Sequence, residues 1–261
     1  MITRPAFSDA LRSEWIKFRS LRSTWLTLAG LVVVGLGLPL LSADPAAQSY
    51  LTGTIEEQQD WDPTNRSLLM FFIAQLVLGV LAILVVTSEY ATGLVQTSLS
   101  ATPRRHRLLG AKVAVVAAVA LVAGQALMFP AFLIGQAGFA AAGVPHATLA
   151  DPRALSAVVG AGLYLAVIAL LAVALGTIIR ATAGALATLV AIVLLVPALE
   201  GMFPSWLDGL LDVWPALGGA AVIATVPNPD YPHPWSSFAG MVAGVLALLV
   251  VAFVLFERRD A

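Results

Sequence analysis

The chain has 261 residues, 59% of them hydrophobic and only 11% charged, with a formal net charge of −1. A soluble domain carries roughly 25% charge, so a soluble fold of ordinary amphipathic helices is excluded. With no cysteine, disulfides, thiolate zinc sites, CxxC redox chemistry and a lipobox are excluded too.

The first element is an amphipathic arm over residues 1–24. At 100° per residue, Phe7, Leu11, Trp15, Phe18, Leu21 and Trp25 fall in a single arc, with Arg12, Lys17 and Arg19 outside it. That pattern predicts a helix lying on the cytoplasmic leaflet, its cations near anionic headgroups. Glu14 points into the apolar arc and needs a partner there. Lys17, one turn on, is the nearest choice; an Arg of another cytoplasmic element is the alternative.

Six apolar runs follow, at approximately 25–41, 68–87, 111–135, 155–179, 183–199 and 237–256. Crossing a bilayer takes about 20 apolar residues, because ~1.5 Å of rise each must span ~30 Å of hydrocarbon. The run at 183–199, no longer than the first, ends near Pro197, and Pro130 makes a kink plausible in the third. The first run follows too long a basic segment for a signal peptide and reads as a retained span. The resulting expectation is an all-α integral membrane protein: the arm, then one transmembrane domain over 25–261. Ala157, Gly160, Ala161 and Gly176 read as ordinary close helix packing.

Charge sets the orientation. Twelve of the fourteen basic residues fall in the arm, the second loop (Arg104, Arg105, Arg107, Lys112), the fourth loop (Arg180) and the tail (Arg258, Arg259); only Arg66 and Arg153 fall on the other side. The positive-inside rule then puts both termini in the cytoplasm. Arginine outnumbers lysine twelve to two, which reads as a coding bias rather than a binding signal. The outer loops are acidic (Asp44, Glu56, Glu57, Asp60, Asp62, Asp208, Asp212, Asp230), which reads as a solvated surface, with a cation-attracting vestibule as the sharper alternative.

The second loop, 88–110, carries the most information. Glu89 sits at the membrane edge, followed by Tyr90, Gly93 and the short helical stretch LVQTSLS. Thr102–Pro103 then restarts a helix, as N-cap and first helical residue, leading through the basic turn into the third span. The arm SEWIKFRSLRSTW, the loop SEYATGLVQTSLSATPRRHRLLGAK and six spans in this order resemble an ABC-2 type transporter permease of the type V exporter fold. The resemblance implies that the arm is a connecting helix and that 89–99 is a coupling helix docking on an ATP-binding subunit. It implies docking roles for Glu89, Tyr90, Gly93, Leu94, Gln96, Thr97 and Leu99. Pro103, Arg104, Arg105 and Lys112 would form the turn and the return into the third span. Glu14 and Lys17, with Arg19 beside them, match the family's charged pair in the arm.

Near the end, Trp206, Leu207, Leu210, Leu211 and Trp214 share one face of a helix, with Asp208 and Asp212 off it. This predicts either an interfacial helix or the re-entrant hairpin that precedes the last span in such exporters. A Pro-rich connector, 226–235, follows.

The chain contains no GxxxxGK[ST], HExxH, GxSxG or GxGxxG, so it holds no P-loop and no recognisable catalytic constellation. Three well-separated histidines (His106, His146, His233) form no HxxxH pair, and no metal site is expected. No acidic or basic residue lies mid-span, which argues against proton- or sodium-driven transport. Gln75 and Gln125 are the in-span polar groups, candidates to line a pathway but more commonly interhelical hydrogen bonders. The expectation is therefore a non-enzymatic permease subunit of an exporter. ATP and Mg would bind a separate ATPase polypeptide. A second permease copy or a paralogue and membrane lipid are the other partners, and no nucleic acid is expected. A membrane scaffold or sensor with the same bundle is the alternative.

Overall fold

The structure is a computed structural model, and it describes residues 7–20, 22–92 and 105–258. All regular elements among them are helical. They are α1 (Phe7–Ser20), α2 (Arg22–Thr52), α3 (Ile55–Gln59), α4 (Pro63–Leu68), α5 (Phe71–Thr92), α6 (Arg105–Ala141), α7 (Pro152–Ile179), α8 (Thr182–Ala198), α9 (Asp208–Leu211) and α10 (Pro234–Arg258). One π turn, Ala191–Leu195, interrupts α8. Residues 93–104, which carry the rest of the expected coupling helix together with Thr102 and Pro103, lie outside the described residues.

Five helical stretches are long and apolar enough to cross a membrane: Thr24–Thr52, Pro63–Tyr90, Arg105–Ala141, Pro152–Ile179 and Pro234–Arg258. The fifth expected run, 183–199, is present as α8, whose 17-residue length rises about 25 Å, less than a full hydrocarbon core. The helices extend well past the apolar runs. α2 continues through Pro39 and Pro45, so Asp44 sits on a helix rather than in a loop, and Pro130 lies inside the unbroken α6. Low dielectric favours this continuation, because backbone groups leaving a helix at membrane depth would lack partners.

α7 is the central helix and the most buried of the apolar stretches, packed against α5, α6 and α10. Its small residues allow that. Gly124 of α6 faces Gly162 of α7 so closely that a Cβ on Gly124 would lie 3.0 Å from the Gly162 carbonyl oxygen. Ala157, Gly160, Ala161 and Gly176 are all buried, in agreement with the close-packing reading. The polar residues in the spans are tied across helices. Tyr164 Oη donates to Gln75 Oε1 at 2.7 Å, and Gln125 Nε2 donates to the Val159 carbonyl at 3.1 Å.

The bundle has two distinguishable ends. At one, the arm meets the end of α5 and the start of α6, and Arg105 Nη1 reaches the Phe256 and Glu257 carbonyls of α10 at 3.5 Å. At the other, Asp62 gathers the chain. It caps α4 through the Asn65 N–H and accepts the Thr225 N–H, the Thr225 hydroxyl and the Val226 N–H. Four donors on two carboxylate oxygens satisfy it fully. Nearby, Thr54 and Glu57 form a capping box around α3, and Trp61 Nε1 donates to the Pro145 carbonyl at 2.9 Å. The backbone hydrogen bond from Thr54 holds the exposed Glu57 carboxyl below its ordinary value.

The segment expected as one amphipathic face over 206–214 divides in two. Trp206 is exposed on a 3₁₀ turn, Ser205–Leu207, whereas Trp214 donates to the Ile192 carbonyl inside the π turn of α8 at 2.9 Å. From there the chain runs into a buried 3₁₀ turn, Gly218–Ile223, seated against α7 and α10.

Candidate functional site

At the arm end, four charges converge from three elements. Ala10, Glu14 and Phe18 form the buried face of α1. Phe18 packs with Leu81 of α5 and Val115 of α6, and this apolar seat carries Glu14 between those two helices. Glu89 comes from the last turns of α5 and Lys112 from the second turn of α6. Lys17 bridges Glu14 Oε1 at 2.7 Å and Glu89 Oε1 at 2.8 Å. Lys112 bridges Glu14 Oε2 at 2.7 Å and Glu89 Oε1 at 2.8 Å, with the Val85 carbonyl at 3.4 Å. Signs alternate round a closed ring, two carboxylates and two ammoniums, so the group is neutral as a whole.

Burial makes this arrangement consequential. Glu14 is 3% exposed and Lys112 4%. Taking an ion out of water costs several kcal/mol, and only close, multiple partners offset that. Here each charge has two opposite charges in contact. Lys17 lies at the solvent side of the ring. Burial pulls its pKa down, but hydrogen bonds to Glu14 and Glu89 outweigh that and raise it above the ordinary lysine value. Its ammonium therefore stays charged throughout the neutral range.

The expected Lys17 partner of Glu14 is present, and the alternative is right in part. Lys17 does pair with it, and so does a cation from another element, which is Lys112 and not an arginine. The sequence held one signal for this. In a chain with twelve arginines, the only two lysines both enter the ring. An ammonium is a compact point charge that can sit between two carboxylates, whereas a guanidinium demands planar bidentate space.

The other sequence-derived residues are distributed around this ring. Tyr90 follows Glu89, and the guanidinium of Arg180 lies 5.2 Å from its ring centroid. Arg180 ends α7 in a left-handed conformation, and Thr182 at the start of α8 donates to the Thr87 hydroxyl of α5 at 2.9 Å. Arg19 is exposed, and its carbonyl accepts from Trp25 Nε1 at 2.9 Å, holding the corner between α1 and α2. Arg105 caps the end of α10, where a cation suits the C-terminal carbonyls. Gln75 is fully buried inside the bundle, and Gln125 is half-buried against α7. Gly93, Leu94, Gln96, Thr97, Leu99, Pro103 and Arg104 lie outside the described residues. The end of α5 is thus joined at once to the arm, to α6 and to the α7–α8 turn.

No curated protein matches the chain. The family described as ABC-2 family transporter protein matches residues 10–198, from the arm through α8, well over half of the sequence. That family is a membrane component of transporters and not itself the ATPase. With several helices able to span a bilayer, a transport family over most of its length and a charged junction at the foot of its second span, the chain belongs to the ABC-2 transporter family as a multi-pass membrane permease.

Proposed function

We propose that this chain is the permease subunit of an ATP-driven exporter, forming half of the substrate pathway and receiving the stroke of a separate ATPase through residues 89–105. The four-charge ring carries this reading. It stands where the second loop leaves α5 and returns as α6, so a push on the loop reaches the arm and the third span through contacts under 3 Å. ATP and Mg would bind the partner, and a second copy or a paralogue would complete the pathway across a symmetric interface.

Six crossings, with both termini in the cytoplasm, complete the proposal. Its support is the placement of contacts. Arg180 lies by Tyr90 at the arm end, whereas Thr225 lies by Asp62 at the far end. The chain therefore traverses the bundle between them, although α8 alone is short. The buried turn Gly218–Ile223 supplies the rest of that passage and fits a re-entrant hairpin.

The test is purification of the tagged full chain in mild detergent with a non-hydrolysable ATP analogue, identifying every co-purifying protein by mass spectrometry. A stoichiometric soluble chain bearing GxxxxGK[ST] is expected. Glu89→Ala should insert to the same level but capture less of it. A preparation without such a partner, with and without the analogue, overturns the ATPase-coupled reading in favour of a scaffold or sensor.

A further inference from the structure

A cavity of about 630 Å³ opens at the far end of the bundle, opposite the charged ring. Ligand sites run to roughly 300–1,000 Å³, so it has the room. Its walls come from the starts of α5, α7 and α10 and from the connector that follows the buried 3₁₀ turn. Phe71, Phe72, Val222 and Trp235 give it an apolar side, and Phe72 and Trp235 are themselves exposed. Asn65, Ser156, Thr225, Asn228 and Tyr231 supply neutral polar groups.

Arg153 is the one charged residue in this lining. It is exposed, and among the described residues no carboxylate lies within ion-pairing distance of it. Of the carboxylates at this end, Asp151 and Asp62 hold donors of their own, and Glu200, Asp212 and Asp230 lie on the Tyr231 side of the cavity. Asp151 accepts from the Thr148 N–H and hydroxyl, and Asp62 holds its four donors. Tyr231 donates to Glu200 Oε1 at 2.7 Å, and its burial and that bond keep the phenol neutral. The other basic residue at this end, Arg66, lies over the Trp61 ring at 4.6 Å. The first turns of α7 and α10, where helix N–H groups lack intrahelical acceptors, also form the wall. Ala216, also in the wall, is held in a left-handed conformation at φ 63°.

An unpaired guanidinium at the mouth of a half-apolar cavity, with two exposed aromatic rings beside it, is complementary to a phosphate carrying an acyl chain. We propose that this cavity binds an anionic phospholipid of the adjacent leaflet. Its phosphate sits on Arg153 and its chain lies against Phe72 and Trp235. The site does not depend on the ATPase partner; only the identification of the leaflet as the outer one rests on the orientation proposed above.

The experiment is native mass spectrometry of the full chain titrated with phosphatidylglycerol or phosphatidylcholine in detergent. Phosphatidylglycerol should be retained in preference, and Arg153→Gln should weaken it about ten-fold, the value of a charge-assisted hydrogen bond. Arg153→Lys should keep most of the preference and Arg66→Gln all of it. Should Arg153→Gln fail to insert, brominated phosphatidylglycerol in nanodiscs should quench the fluorescence of Trp235, taken as wild type minus Trp235→Phe, more than brominated phosphatidylcholine does. Equal retention of the two lipids, an Arg153→Gln variant that binds like wild type, equal quenching, or displacement by millimolar inorganic phosphate would each overturn the proposal. None of these readouts involves ATP, so failure here is distinct from failure of the transport reading.

Discussion

Lys112 and Lys17 touch the same two carboxylates, yet their surroundings predict different consequences of losing them. Lys112 is buried, so Lys112→Met leaves Glu14 and Glu89 facing one another with a single remaining cation. Removing one member of a buried ion pair costs about 3–5 kcal/mol, and a clear drop in the unfolding midpoint in detergent is expected. Lys17→Met removes a half-exposed ammonium and should cost no more than about 1 kcal/mol. A double-mutant cycle between Lys112→Met and Glu89→Gln should show coupling of about 1 kcal/mol or more. Additive effects, or equal losses for the two lysines, would mean that the ring is not a unit. Apart from the rarity of lysine, nothing in the sequence marked Lys112 as the partner, because the pairing joins residues 98 positions apart. What the sequence did show was the problem it solves, a carboxylate aimed into the apolar face of the arm.

Among the elements, α4 is short, six residues, and closely held. A Cβ on Gly135 of α6 would lie 2.6 Å from Ser67 Oγ and 3.1 Å from Ser67 Cα. Beside it, Gln136 Nε2 donates to Ser67 Oγ at 2.6 Å and to the Pro63 carbonyl at 2.8 Å, and its Oε1 accepts from the Ala147 N–H at 2.7 Å. Gly135→Val should therefore displace α4 and cost about 1–3 kcal/mol by overpacking. Gly30→Val in α2, where nothing lies within 4 Å, should be close to neutral in the same unfolding assay. Comparable losses at both positions would remove the argument from close approach. Hydropathy located every apolar helix, because a span announces itself by composition. It missed the helical extensions beyond the runs and the splitting of 206–214, since those depend on which neighbours satisfy the backbone. Trp206 and Trp214 fall on one face of an ideal helix, but the Ile192 carbonyl in the π turn draws only Trp214 inward.

For the molecule as a whole, the absence of cysteine makes the proposed topology directly measurable. Single cysteines at Gln59 and Ser205 should react with a membrane-impermeant maleimide in intact cells. Those at Ser13 and Arg258 should react only after permeabilisation. Labelling of Ser205→Cys only after permeabilisation would mean that α8 does not cross, and reversal of all four would invert the protein. The order of helices and the family were legible in the sequence, the second because the arm and the loop carry its motifs. The far-end cavity was not, since it is assembled from the starts of three helices and a connector that the sequence presents only as Pro-rich. The ring of charges has one more consequence at this scale. Moving one elementary charge through a membrane potential costs about 2.3 kcal/mol per 100 mV. A cluster with two positive and two negative members does no net work against that field when it shifts as a body. A stroke delivered through it would be indifferent to the voltage of the cell.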